Sequence, residues 1–486
     1  MPARERSRSW LVPAVAVVVA VLVSWAILAA SKELARSFSL VVYLLVNLIV
    51  FLDGLDLWLR LYFQRMHAAT DDTVGGSPTS IALGPRRFTT YQRRLHLQPW
   101  VLIVSVHNAV HELDDFMEAM ESLRDRIWVI DDGSDDHTCV RLRQEGWRCL
   151  EGGQNRKKPG ALRFLLASLP PEIETVVVVD PDISILKDTL ASLEEVIFDF
   201  QHSGMAAVCP RIAVAGQGLL TRFQAFEYCL AFSLGRKSLG DHSITSGISI
   251  YRRSALAAEL ERHSLSVYAE DLENSLLLLT SGEKIYYDSR IVIHTEGKST
   301  WKGWFSQRVG WSYGLIRVYI QRFRDIRRLS ARSLSAQYQF LIYLGLFTLL
   351  FQPLKLLSLG LLVGSLAASL DSLFGLHWMP YWKATDPIYF LVAFTKYALL
   401  CLAALLIAVP RGERGSLLPI APLYFLYALA QIIPTTVGYA NWCTLRIWGR
   451  RLMRDHYQDE ESLILQHEGK SLARSMRTLW SNSARE

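Results

Sequence analysis

At 486 residues the chain can hold roughly two or three ordinary domains, and 51% of its residues are hydrophobic. That share is high for a soluble protein; the apolar residues gather at the two ends and leave a middle of mixed composition, a layout that argues for membrane ends and a soluble centre. The formal charge of +6 lies largely beside apolar runs, as on a membrane surface, and no basic stretch interleaved with aromatics offers a nucleic-acid module.

Residues 11–30 form an uncharged apolar run long enough to cross a bilayer, preceded by Arg4, Arg6 and Arg8, which belong on the cytoplasmic side. A second run, 40–63, follows almost at once and is interrupted by Asp53 and Asp56, which predicts that this helix faces a partner helix or bends near one end. The membrane region therefore takes residues 1–66, with two crossings. Residues 67–99, rich in Gly, Ser, Thr and Arg, read as a linker under the membrane.

From Trp100 the pattern changes. Short β-rich runs at 101–106, 127–130 and 175–179 alternate with a helix-like segment at 112–123. Alternation of this kind predicts a mostly parallel sheet whose ligand site lies at the carboxyl ends of its strands. Residues 100–300 form this soluble domain. Residues 301–335 bring Trp301, Trp304 and Trp311, then Arg317, Arg322, Arg324, Arg327, Arg328 and Arg332, a pattern suited to interface helices. Three apolar blocks follow at 340–370, 388–409 and 417–439, giving a membrane region over 336–445 with about three to four crossings, before a basic tail at 446–486. Three single crossings would leave that tail outside, so one block splits, at Pro353 or Pro434, or one does not cross. The six cysteines are scattered with no CxxC pair and no His at zinc spacing, which fits a reducing compartment.

The residues able to do chemistry sit where strands end or helices begin. Asp131-Asp132-Gly133-Ser134 follows the 127–130 run; its carboxylates could accept hydrogen bonds from a uracil N–H and a ribose hydroxyl, or simply cap a turn. Asp180-Pro181-Asp182 ends the Val-rich run, and acids at i and i+2 can converge on one Mg²⁺ or Mn²⁺ that bridges a diphosphate. An Asp-x-Asp alone is a weak signal. Residues 158–162 read Lys-Pro-Gly-Ala-Leu, placing Lys158 beside a helix start where phosphate oxygens could meet it, unless the stretch is a solvated basic loop. Glu270-Asp271 opens a leucine-rich helix. The helix dipole alone would favour acids there, whereas the functional reading makes Asp271 the general base that takes a proton from a sugar hydroxyl. Gln307-Arg308-Val309-Gly310-Trp311 could supply a guanidinium for a diphosphate and an indole for a sugar face, or only anchor an interfacial helix.

Taken in order, Asp-Asp-Gly-Ser, Lys-x-Gly-Ala-Leu, Asp-x-Asp, Ser246-Gly247 leading to Arg252-Arg253-Ser254-Ala255-Leu256, Glu-Asp and Gln-Arg-x-x-Trp resemble the family 2 glycosyltransferases with a GT-A fold. The membrane synthases of cellulose, chitin, hyaluronan and poly-N-acetylglucosamine look most similar, over about residues 100–313 by motif order. The resemblance implies a Rossmann-like α/β GT-A domain, cytoplasmic and inserted between transmembrane helices at the plasma membrane. It implies that Asp131 and Asp132 hold the nucleoside, that Lys158 and Asp180 lie at the donor, and that Asp182 with Asp180 holds Mg²⁺ or Mn²⁺. Asp271 would be the base. Glu270, Gln307, Arg308 and Trp311 would line the diphosphate and acceptor. Gln224 and Glu227, in a segment that also looks like the family, receive no role. Three positions depart from the pattern: Gly310 replaces the Arg that usually precedes the final Trp, Val106-His107-Asn108 replaces Pro-x-Tyr-Asn, and Arg163 replaces Asn.

The expected function is inverting, metal-dependent transfer from a nucleotide sugar, a UDP-sugar first, to a growing polysaccharide, with product translocation and export partners. Single-sugar transfer to a lipid is the alternative acceptor chemistry, and a non-catalytic scaffold is the alternative class.

Overall fold

A computed structural model describes residues 39–72, 96–181, 183–185, 187–376, 378 and 387–453. The expected crossing at 11–30, most of the linker, Asp182 and the tail beyond 453 lie outside the described residues.

Helix α1 (Ser39–Asp72) contains the second apolar run and continues past it, so the start of the expected linker is helical. Its later turns dock on the soluble domain. Gln64 Nε2 donates to the carbonyls of Ser233 and Leu234, each at 3.0 Å. Asp56 turns inward to Arg60 at 2.9 Å and accepts from the Tyr338 hydroxyl at 2.5 Å, as expected of an acid facing partner helices.

The soluble domain is built on an eight-stranded sheet in the order β3-β2-β1-β4-β7-β6-β8-β5. These strands are β1 (Trp100–Val106), β2 (Ile127–Asp131), β3 (Cys149–Glu151), β4 (Thr175–Val179), β5 (Ile183–Ser184), β6 (Ala207–Ala215), β7 (Ile248–Arg252) and β8 (Ile285–Glu296). Strands β3, β2, β1 and β4 run parallel, and β7 is antiparallel to both β4 and β6. The mostly parallel α/β sheet expected from sequence is borne out. Strand β4 is one Thr and four Val, all buried, as β-branched residues suit a strand covered on both faces. Along β1, Leu102, Val104 and Val106 face one core layer while Val101 and Ile103 face the other, the period-two signature of a pleated strand.

Helices fill both layers: α2 (Leu113–Met120), α3 (Thr138–Gln144), α4 (Lys157–Ser168), α5 (Lys187–Gln201), α6 (Leu219–Cys229), α7 (Arg253–Arg262) and α8 (Glu270–Thr280). A π-helical turn, Leu230–Gly235, and a 3₁₀ turn, Arg236–Leu239, lead from α6 back toward β7.

Helices α9 (Trp301–Gln321) and α10 (Phe323–Ser330) carry the basic run, but the run divides. Arg317 and Arg322 turn inward to Glu273 on α8, at 3.1 and 2.6 Å, while Arg324, Arg327 and Arg328 are exposed. Burial opposes the Glu273 charge, yet His263, Arg317, Ser264 and Arg322 hold its pKa at about 2. An inward pair removes charge expected to face lipid headgroups, because a buried carboxylate needs its counter-ions close.

The apolar block at 340–370 splits. A π-helical segment, Tyr338–Leu350, follows the short α11 (Leu334–Gln337), and α12 (Gln352–Phe374) starts after Phe351. Pro353 falls in the first turn of α12, where its missing N–H breaks no helical bond. Helices α13 (Pro387–Ala408), α14 (Arg414–Leu417) and α15 (Tyr424–Trp448) follow, and Pro434 stays inside α15 without ending it. Among the described residues three helices, Gln352–Phe374, Phe390–Ala408 and Ala421–Trp448, are long and apolar enough to cross a membrane, and Leu334–Leu350 is shorter.

Candidate active site

The first acidic pair closes the turn after β2. Asp131 is the last residue of that strand, in register with Val106 of β1. Its Oδ1 accepts from the Ser134 N–H at 3.0 Å and the Ser134 hydroxyl at 2.5 Å. Gly133 has φ +76°, and a Cβ there would stand 2.6 Å from the Gln154 backbone, so the turn demands glycine. Asp132 accepts the backbone N–H of Arg156 at 2.7 Å, which ties this turn to the loop that starts α4. His107 completes the junction, one ring nitrogen 3.1 Å from the Asp132 carbonyl and the other 3.1 Å from Asn155. Both carboxylates are buried; desolvation raises the Asp132 pKa, with the Arg156 N–H pulling the other way.

The second cluster joins three elements. Lys158, in the first turn of α4, places Nζ 2.6 Å from Asp180 Oδ1 at the end of β4 and 2.8 Å from Glu270 Oε1 at the start of α8. Burial works against the Lys158 charge, but Asp180, Glu270 and Asp271 together hold its pKa well above the ordinary value. Asp271 is raised to about 7, first by burial and then by the neighbouring Glu270 and Asp180 carboxylates, against the attraction of Lys158 and Arg236.

Antiparallel pairing of β4 with β7 explains how Asp180 is held. Val179 pairs with Ile248, so the residue after β4 meets the residue before β7. Asp180 N–H donates to the Gly247 carbonyl at 3.1 Å, and a Cβ on Gly247 would overlap Asp180 Oδ2. The same loop reaches α8: Thr245 Oγ1 donates to the Asp271 carbonyl at 3.1 Å, and the Ser275 hydroxyl donates to that carbonyl at 2.6 Å. Thr245 and Gly247 are thus parts of the site that the acidic motifs alone did not point to, although Gly247 stood in the Ser-Gly segment of the motif series.

Asp182 lies outside the described residues, and the described residues contain no group of three or more His, Cys, Asp or Glu side chains arranged to hold a metal. Asp180 is a hard oxygen donor held in a cradle that any larger residue at position 247 would fill, which suits one ligand of a divalent cation.

The last motif goes elsewhere. Arg308 donates to Glu227 at 2.6 Å and to Gln307 at 2.9 Å, and its guanidinium lies 4.0 Å over the ring of Trp311. Glu227 also accepts from the Tyr427 hydroxyl at 2.6 Å and from Gln431 at 2.8 Å, both on α15. Burial opposes charge on Arg308, but Glu227 raises its pKa. The expected diphosphate arginine is therefore engaged with α6 and α15, and Glu227, which received no role from sequence, is the hub that holds it. Trp311 remains 38% exposed. Asp180, Glu270, Asp271 and Lys158 come together; Asp131 and Asp132 sit at the adjacent strand end; Gln307 and Arg308 do not join them.

Residues 175–410 match the family model described as Glycosyl transferase family group 2. This span runs from β4 through the Glu270–Asp271 helix to the end of the second apolar block. No curated protein matches the chain in sequence. Solved structures similar to it include a mannosyltransferase from Pyrobaculum calidifontis in complex with GDP-Man and Mn²⁺, 16% identical, covering 82% of this chain and 99% of that one at a TM-score of 0.45. Mannosyl-3-phosphoglycerate synthase from Rubrobacter xylanophilus is 14% identical, covering 49% and 79% at a TM-score of 0.32. Glucosyl-3-phosphoglycerate synthase from Mycobacterium tuberculosis, in complex with Mn²⁺ and UDP-glucose, is 18% identical, covering 46% and 80% at 0.29. At these TM-scores the likeness is too loose to transfer a residue's role.

Proposed function

From a chain that belongs to the family 2 glycosyltransferases through residues 175–410, we propose inverting transfer of a sugar from a nucleotide sugar, a UDP-sugar first, to a glycan growing at the cytoplasmic face of the plasma membrane. The observation that carries this reading is the convergence of Asp180, Glu270 and Asp271 on Lys158 from the ends of β4, α8 and α4. Asp131 and Asp132, at the adjoining strand end, hold the nucleoside in this reading. Asp180, with Asp182, holds Mg²⁺ or Mn²⁺, which when bound neutralises charge on a departing nucleoside diphosphate.

Lys158 fixes the spacing between the donor carboxylate Asp180 and the α8 acids. Asp271 takes the proton from the acceptor hydroxyl as that oxygen attacks the anomeric carbon opposite the leaving diphosphate. An alcohol is a poor nucleophile at neutral pH, and a carboxylate with a pKa near 7 is matched to that proton. Trp311 offers an exposed indole to an acceptor sugar. The experiment is release of UDP from UDP-sugars by purified protein with Mn²⁺. Asp271→Asn is expected to abolish it; undiminished release would remove Asp271 from this role.

A lipid acceptor receiving one sugar is the second reading, favoured by Arg308 turning to Glu227 and by Gly310 where chain-extending members carry Arg. Mass analysis of the product separates a polymer from a single-sugar glycolipid.

A further inference from the structure

With Arg308 committed to Glu227 and Lys158 to two carboxylates, the site has another cation that no motif marked. Arg236 opens the 3₁₀ turn after α6. Its Nη2 donates to the Thr245 carbonyl at 3.1 Å, and its guanidinium lies 4.5 Å over the Phe232 ring. These contacts and a hydrogen bond with the neutral Cys209 thiol fix its direction without neutralising it. Among the described residues no carboxylate forms an ion pair with Arg236, and its buried Nε–H has no hydrogen-bond partner. A charged, buried donor with nothing to donate to is costly unless a ligand completes it.

Its place relative to the acids follows from one loop. Thr245 accepts from Arg236 and holds the Asp271 backbone; two residues on, Gly247 holds Asp180. Consecutive Cα atoms are about 3.8 Å apart, so this tripeptide brings Arg236 within one substrate's length of both acids. The Arg236 charge also reaches Asp271, which it helps to keep ionised. Behind Arg236 the same turn meets α1: Ser238 accepts from Arg60 of that helix at 3.5 Å.

We propose that Arg236 is a phosphate-binding residue of this site, its planar guanidinium completing on phosphoryl oxygens the hydrogen bonding that the protein leaves open. The proposal rests on the glycosyltransferase reading above. Two sources present that chemistry here: the diphosphate of the donor, and a phosphate carried by an acceptor arriving along α1.

The test is binding by calorimetry of UDP and of GDP, each with Mn²⁺, to the full-length protein in detergent, and co-sedimentation with phosphatidylcholine vesicles with and without phosphatidic acid. Arg236→Ala is expected to weaken one of these by about tenfold or more, with Arg236→Lys restoring part of the loss and uridine and guanosine binding unchanged. Loss in the nucleotide arm assigns the contact to the donor, and loss in the lipid arm to the acceptor. Undiminished binding in both arms by an Arg236→Ala protein that melts like the wild type overturns the proposal; if that variant does not fold, Arg236→Gln takes its place. Wild-type protein that binds neither nucleotide would instead remove the donor-site reading, and the lipid arm then tests the acceptor phosphate on its own.

Discussion

Single residues decide the geometry of the acidic site. Gly247 permits Asp180 to lie against the backbone before β7, and Gly247→Ala forces that carboxylate away. Overpacking of this kind costs about 1–3 kcal/mol, so the variant should melt lower and lose most of its UDP release. The base role proposed for Asp271 fixes an expected pH response. Its native pKa is raised from 3.8 to about 7, so the ionised base accumulates as pH rises, and kcat/KM should climb through about pH 7 and then level. The sign for stability is opposite. The unfolded chain sheds this proton near 3.8 while the native site keeps it to about 7, so the Asp271 contribution is full below the lower value and lost as pH rises across the window. Asp271→Asn should flatten that part of a melting-temperature-against-pH curve.

Between elements, the contacts that matter join residues far apart in sequence. Arg308 and Glu227 are 81 positions apart and both are largely removed from solvent. Breaking such a pair by Arg308→Ala removes the counter-ion of Glu227, leaving it only the Tyr427 and Gln431 donors, and costs up to about 3 kcal/mol, whereas UDP affinity should hold, because Arg308 does not face the acids around Lys158. Thermal unfolding and calorimetry on one preparation check both halves. Helices α9 and α15 cross closely at Gly438, where a Cβ would stand 2.7 Å from the Val309 carbonyl and from Ser312. Gly438→Ala should therefore push the pair apart and lower the melting temperature in detergent by an amount worth about 1–3 kcal/mol. The sequence showed those glycines without showing what they touch. Strands β1, β2 and β4 were legible because their apolar runs are short and uninterrupted. Strand β8 was not, since Asp288 and Arg290 break its pattern by pairing with each other, and Arg290's second partner, Asp199, lies on α5. Strand β6 hides for a related reason, with Pro210 at a bulge against β8.

For the whole molecule, the order of motifs foretold an α/β domain, and Lys158, Asp180, Glu270 and Asp271, expected at the ends of its strands, lie together in the fold. What the order could not tell was which motif members serve the fold: Arg308, Arg317 and Arg322 look alike in sequence, and each is consumed by a carboxylate supplied from a distant helix. The membrane end and the site are also joined beyond α15. Asn441 accepts the backbone N–H groups of Leu452 and Met453 at 3.0 and 3.1 Å, folding the chain back after Gly449. Arg451 is then carried onto Tyr268, donating to its hydroxyl at 2.7 Å, with its guanidinium 4.5 Å over Tyr313. Tyr268 lies two residues before Glu270. Ending the chain after Gly449 should slow transfer several-fold, to about the degree expected when one charge-assisted contact is lost, and UDP affinity should change less than kcat.

A ribosome makes this chain from its N-terminus, so the helix Ser39–Asp72 and the sheet come first and Arg451 leaves it long after them. The strands, the acids and Lys158 are all synthesised before their final brace exists. The Arg451–Tyr268 contact therefore waits on the whole of α15, and a nascent chain stopped before it holds the acids and Lys158 without that brace.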